Sequence, residues 1–293
     1  MTSNIKLICE ANGLQYVSDR KVSGGDINET YAVDTNRGLF FMKLNSASDF
    51  PLMFQKEAEG LKALQQASLL KVPEVVATGE YEGQQYLLLE WLEKTLHATY
   101  LGEQFAKGLA QLHRITNSHF GWTSCNFIGS LVQTNEYNTL WKEFYSTQCI
   151  MPLVQKLYNQ TSLSKSDIEA AEIICGRLEE VFPDEPPSLL HGDLWAGNFM
   201  AVQSAAKKNI PEVLPSVFDP AVYFGHREMD LGMSLLFGGF DQRFYQVYNE
   251  IFPLEKNWRK RVTLTQLYPL LVHAVLFSGR YINQCRNVLK EWR

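Results

Sequence analysis

An Asp followed five residues later by an Asn, with a second Asp behind a later apolar run, is a set of groups that can transfer a phosphoryl group to a hydroxyl. The chain carries it as Leu190-His191-Gly192-Asp193-Leu194-Trp195-Ala196-Gly197-Asn198 and Phe218-Asp219-Pro220. One carboxylate must orient the acceptor hydroxyl and take its proton, and Asp193 is the candidate base. An amide oxygen and a second carboxylate must reach Mg²⁺ on the phosphates of ATP, and Asn198 and Asp219 supply such hard oxygens. Taken singly, each is an ordinary turn, cap or strand-end residue. Their order and setting make the chemical reading. His191 reads as a residue that holds the loop by hydrogen bonds.

Other groups must hold the nucleotide. Lys43 ends the run Phe40-Phe41-Met42-Lys43, where a strand lysine can reach phosphates. Residues Phe54 to Gln66 repeat apolar side chains at helical spacing, at Phe54, Ala58, Leu61 and Leu64. At about 100° per residue Glu57 falls on the apolar side of that helix and Glu59 points away, so Glu57 is the expected partner of Lys43. Gly24-Gly25-Asp26-Ile27-Asn28 could cover phosphates with backbone N–H groups, or be a plain hairpin turn. The backbone near Glu90 to Leu92 would meet adenine. No G-x-x-x-x-G-K-[ST] loop is present, which excludes a P-loop source for these features.

These pieces lie on two kinds of chain. The first ~90 residues read as strands at Lys21–Ser23, Thr30–Val33, Leu39–Leu44 and Gln85–Trp91 with one helix between, and the remainder is mostly helical. The expected fold is α+β with two lobes, residues 1–91 and 92–293. Pro183 to Pro187 stops a helix ahead of the catalytic loop, and the polar stretch from Gln203 to Pro211 reads as a hairpin turn. With 293 residues, 45% of them hydrophobic, the chain can bury a full core. A net charge of −5 without a basic run argues against nucleic acid or a polybasic membrane anchor. No signal-peptide pattern or membrane-length apolar run is seen, so a cytoplasmic protein is expected. Five scattered cysteines without C-x-x-C suggest reduced thiols, not a zinc site.

Trp195, two residues after Asp193, could form a flat wall for a sugar or simply pack the loop. Gly225-His226-Arg227-Glu228-Met229-Asp230 is a polar cluster entering a helix. Asp230 reads as a brace for the catalytic loop. His226, Arg227 and Glu228 are either substrate contacts or part of that brace.

The segments HGDLWAGN and FDPAVYFGHREMDL resemble the fructosamine kinase, or ketosamine-3-kinase, family. So do Phe120 to Trp122, Phe127 to Ser130, Gln133 to Asn135 and Trp141 to Phe144. That family lies within the aminoglycoside phosphotransferase and protein-kinase-like fold. The resemblance implies ATP- and Mg²⁺-dependent phosphorylation of the sugar 3-hydroxyl of ketosamines, free or protein-linked, and a role in repairing glycation. It implies Asp193 as base, Asn198 and Asp219 as metal ligands, Lys43 and Glu57 as the phosphate-positioning pair and Trp195 as a substrate wall. The expected state is a monomer or weak dimer. Asp26 stands where some family members carry a redox-active Cys, so no oxidative dimer switch is expected. The chain also reads Gln148-Cys149-Ile150 where a basic residue is common. The competing readings are a kinase of another hydroxylated amine, such as an aminoglycoside or choline-like compound, and an inactive scaffold.

Overall fold

Apolar residues alternate along the first strands, and that alternation decides which side chains meet. The computed structural model describes residues 2–22, 27–67, 69–95, 101–207 and 210–293. The chain divides into two compact units: 1–66, 70–101 and 200–219 form the first, and 67–69, 102–199 and 220–293 the second.

The first unit opens with α1 (Thr2–Ala11), followed by β1 (Tyr16–Lys21), β2 (Glu29–Thr35), β3 (Gly38–Ser46), α2 (Met53–Ala67), β4 (Val75–Tyr81) and β5 (Gln84–Glu90). The strands form an antiparallel sheet in the order β1-β2-β3-β5-β4. Successive strand side chains point to opposite faces. Val33, Met42, Leu44 and Leu88 therefore cluster with Ile5, Ile8 and Cys9 of α1 on one face. Lys43 and Leu87, which oppose each other in the ladder, take the other face. The expected first strand at Lys21–Ser23 is corrected: β1 ends at Lys21. Neither α1 nor β4 was expected. In α1 only Ile5, Ile8 and Cys9 are fully apolar and buried, a stripe too short to stand out before its sheet is known.

In the second unit α3 (Leu101–His113) precedes the short strands β6 (Asn126–Ile128) and β7 (Leu131–Gln133). A long helical stretch follows as α4 (Trp141–Phe144), a wide π-type turn over Tyr145–Ile150, and α5 (Met151–Asn159). Ser146 and Thr147 hydroxyls donate to the carbonyls of Lys142 and Glu143, and Pro152 brings no N–H to Gln148. Both effects disfavour regular four-residue bonding there. Next come α6 (Lys165–Gly176), α7 (Leu178–Val181) and β8 (Ser188–Leu190). The pair β9 (Phe199–Lys207) and β10 (Ile210–Val217) forms a two-stranded sheet whose residues from Met200 count with the first unit. Backbone bonds from Thr95 to Ala201, Gln203 to Glu93 and Lys71 to Pro215 tie it there. Then β11 (Tyr223–Gly225) pairs antiparallel with β8, and α8 (Glu228–Leu236), α9 (Gln242–Ile251), α10 (Trp258–Thr265), α11 (Leu267–Phe277) and α12 (Arg280–Trp292) complete the unit. No helix among the described residues is long and apolar enough to cross a membrane.

Candidate active site

In the first unit, strand alternation turns Lys43 to the face of the sheet opposite α1. Its ammonium donates to Glu57 Oε1 at 2.7 Å and to Asp219 Oδ1 at 2.5 Å. The Lys43 and Glu57 side chains are 5% and 11% exposed, against 37% for Asp219. Burial works against the Lys43 charge, but the two carboxylates outweigh it and hold its pKa above the ordinary lysine value. Glu57 is pushed up, first by burial and also by the negative charge of Asp219 competing for the same ammonium. Asp219 has φ +55°, the left-handed region that non-glycine residues seldom occupy. Such backbone is held only where surrounding contacts over-determine it, and it gathers at functional sites.

In the second unit the His191–Asn198 motif leaves β8 as a tight turn. Gly192 has φ +84°, and a Cβ on it would lie 1.9 Å from the Ala221 carbonyl oxygen, so glycine is required by conformation and by space. Asn198 Nδ2 donates to Asp193 Oδ2 and to the Asp193 carbonyl, both at 3.0 Å, which fixes the Asp193 carboxylate relative to the loop. The loop is anchored from α8. Asp230 Oδ2 accepts from the His191 N–H at 2.8 Å and Oδ1 from the Gly192 N–H at 2.9 Å, and Oδ2 lies 3.2 Å from His113 Nε2. Asp230 is 1% exposed. Burial would raise its pKa, but the His113 contact and these other partners prevail and hold it below the usual carboxylate value.

A second brace acts on the segment that follows Asp219. The Ala221 N–H donates to the His191 carbonyl, and the Ala221 carbonyl accepts from Gln133 Nε2. Asn126 Oδ1 accepts from both Gln133 and Asn135, while Asn126 Nδ2 donates to the Val222 carbonyl. The chain thus has Asp193 two residues after His191 and Asp219 two residues before Ala221, with one backbone bond joining His191 to Ala221.

Other expected site residues are placed as follows. His226, Arg227 and Glu228 are 1–2% exposed. Arg227 forms a fork with Glu185 through two 2.7 Å bonds, Glu228 is paired with Arg261, and His226 Nδ1 faces the Glu228 N–H at 3.4 Å. Burial pushes the His226 pKa below its ordinary value. Of the two roles open to these residues, this pairing favours the brace over substrate contact. Trp195 is half-buried, edge-on to Phe237 at 5.6 Å between ring centroids, and its ring covers the Cα of Gly197. Asn28 accepts from Asn45, and Ile27 lies beside it, partly buried. Gly24, Gly25 and Asp26 lie outside the described residues. Glu90 is paired with Lys71 through its side chain and its N–H donates to the Glu74 carbonyl, and Leu92 follows outside any helix or strand. Sequence reasoning missed His113, Glu185 and Asn126, which act through residues far off in the chain and carry no local signature. The Gln133 to Asn135 segment was noticed, but its support of Ala221 was not legible.

A lysine paired with a helix glutamate behind an antiparallel sheet, and an Asp-x-x-x-x-Asn loop on a helical unit, define a protein-kinase-like phosphotransferase. The profile of the fructosamine kinase family matches residues 2–292. A probable ketoamine kinase of Enterococcus faecium is 36% identical over 92% of this chain and 94% of its own. The chloroplastic protein-ribulosamine 3-kinase of Arabidopsis thaliana is 31% identical, over 98% and 86%. A Thermobifida fusca structure solved as a candidate fructosamine-3-kinase superposes with TM-score 0.84 at 30% identity, covering 99% of each chain. An aminoglycoside phosphotransferase structure, at 16% identity and TM-score 0.63, shares the fold. The chain belongs to the fructosamine kinase family.

Proposed function

We propose that this chain is an ATP-dependent kinase that phosphorylates the sugar 3-hydroxyl of ketosamines and so serves the repair of glycated amines. The observation that carries the reading is the Lys43–Glu57–Asp219 group, a buried cation placed between two carboxylates. Such a lysine positions the polyphosphate, and Glu57 positions the lysine. Asp193, tethered by Asn198, orients the acceptor hydroxyl and receives its proton as the O–P bond forms. Trp195 offers the sugar a flat apolar wall. His226, Arg227 and Glu228, paired with Glu185, Arg261 and the carbonyls of Phe252 and Pro253, hold the start of α8, the helix that carries Asp230.

Mg²⁺ fits this donor set. Asn198 and Asp219 are hard oxygen donors, and among the described residues no cluster of three or more acidic, His or Cys side chains could hold a metal by itself. A lone carboxylate and a lone amide are donors of the kind taken by an ion that draws its other ligands from phosphates and water. When bound it would neutralise charge on the transferred group. A net charge of −5 without a basic run supports a partner that is a small molecule and not a nucleic acid.

The test is Mg²⁺-dependent ATP consumption with a fructosamine, a ribulosamine, an aminoglycoside and choline, with Asp193→Ala as control. Turnover confined to the two ketosamines and abolished by Asp193→Ala is expected. Turnover on the aminoglycoside or choline alone would overturn the substrate class, and an active Asp193→Ala protein would remove Asp193 from its role.

A further inference from the structure

The aromatic wall that Trp195 begins continues beyond it within the second unit. The Trp195 ring meets Phe237 at 5.6 Å between centroids, and Phe237 meets His273 at 4.9 Å. His273 in turn meets Tyr281 at 5.0 Å and Phe277 at 5.6 Å. The row thus starts in the Asp193 loop, passes the C-terminal end of α8 and reaches α11 and α12. None of its rings is sunk in the core: Trp195, Phe237, His273 and Tyr281 are partly exposed, and Phe277 is 52% exposed. Phe105 and Phe244 of the same unit, stacked at 4.8 Å, are fully buried. Contiguous apolar surface left open to water marks a place where something binds.

The backbone is bent to hold the outer rings. Between α11 and α12, Ser278 has φ +54° and ψ −145°, a region almost reserved for glycine, and Gly279 has φ +61°. This turn brings the Tyr281 ring back to 6.4 Å from Phe277 and against His273. Strained backbone of this kind gathers at ligand clamps.

Two polar groups give the row a chemistry. His273 Nδ1 lies 2.7 Å from the Pro269 carbonyl, which can only accept, so Nδ1 carries the hydrogen. Burial and the charge of Arg280 push the His273 pKa below its ordinary value, which keeps the ring neutral near pH 7 and makes Nε2 an acceptor. That Nε2 makes no hydrogen bond among the described residues and, in contrast to the sealed Nε2 of His226, keeps accessible surface. At the outer end the exposed Arg280 guanidinium lies 5.1 Å from the Tyr281 ring centroid and disfavours a second cation there.

We propose that this row is the subsite for the amine component of the acceptor and selects ketosamines whose amine carries a flat, uncharged apolar ring. The inference rests on the reading of the chain as a ketosamine kinase. The sugar lies against Trp195, the sugar-linked amine donates an N–H to His273 Nε2, and the ring of the amine covers Phe277 and Tyr281.

Two fructosamines with the same sugar, one made from methylamine and one from phenethylamine, separate these contributions in an assay of Mg²⁺-dependent ATP consumption. The parent protein should show kcat/KM about tenfold higher for the phenethylamine adduct, the gain from covering one ring face. In Phe277→Ala and in Tyr281→Leu that preference should fall to about twofold as the covered apolar area is lost. His273→Phe keeps a ring and removes the acceptor, and should lower kcat/KM for both adducts by about tenfold while the preference remains. Equal kcat/KM for the two adducts in the parent, or the full preference in both ring variants, would overturn the inference and leave the ketosamine reading standing. Unchanged kcat/KM in His273→Phe would overturn the contact to the amine. Turnover of neither adduct would overturn the ketosamine reading and this subsite with it.

Discussion

Asp230→Asn is a sharp test of how the catalytic loop is held. The substitution keeps the size and removes the charge. Each carboxylate oxygen of Asp230 accepts one backbone N–H of the loop, from His191 at 2.8 Å and from Gly192 at 2.9 Å. An asparagine has one oxygen, so in either orientation its NH₂ confronts one of those donors. A buried donor left unpaired costs roughly 1–3 kcal/mol, and the surviving bond loses its charge assistance, roughly 1 kcal/mol more. Relief of carboxylate desolvation offsets part of this, so the expected loss is about 3 kcal/mol, a large share of the ~5–15 kcal/mol of a typical domain. Urea denaturation followed by fluorescence measures it. With the loop displaced by about 1 Å, kcat should fall by about 10²-fold. KM for ATP should change less than kcat, because Lys43 and Glu57 are not held by Asp230 and only Asn198 of the nucleotide-side groups lies on the displaced loop. A loss below about 1 kcal/mol with normal kcat would refute the claim that Asp230 anchors the loop.

Three further outcomes are expected. Lys43→Met removes the cation between Glu57 and Asp219, and should raise KM for ATP and lower kcat together while leaving the chain folded, checked by steady-state kinetics and circular dichroism. Gly192→Ala puts a Cβ 1.9 Å from the Ala221 carbonyl at φ +84°, and should lose activity and at least about 2 kcal/mol of stability. His226 has a folded pKa below its ordinary value of 6.5 because it is buried. The unfolded chain therefore binds the extra proton just below pH 6.5, so stability should rise with pH through that window and level off above it. Denaturation midpoints of the parent and His226→Asn proteins at successive pH values measure the term, and equal slopes would remove His226 as its source.

The two-unit α+β architecture was readable because strand alternation and helical spacing are local signals, as at Phe40 to Leu44 and Phe54 to Leu64. Helix phase was enough to choose Glu57 over Glu59 as the partner of Lys43 once a strand lysine of this kind called for one. What decides the shape of the loop could not. Asp230 contacts His191 and Gly192 across nearly forty residues, and Gln133 reaches Ala221 across 88. Such bonds depend on register between elements, which no window of sequence contains. The first strand, Tyr16–Lys21, lies ahead of the expected Lys21–Ser23 because its largely exposed side chains carry little apolar signal. The β9–β10 hairpin was legible as a turn, but its backbone bonds to Lys71, Glu93 and Thr95 are invisible in composition.

The setting of Lys43 has a consequence for the protein's own survival among reducing sugars. A lysine is glycated through its unprotonated amine, whose lone pair adds to a sugar carbonyl. Lys43 is 4% exposed, clamped by two carboxylates, and holds its proton more firmly than a free lysine. The pairing that orders this side chain thus also keeps its amine shielded and protonated, a form that adds poorly to a sugar carbonyl.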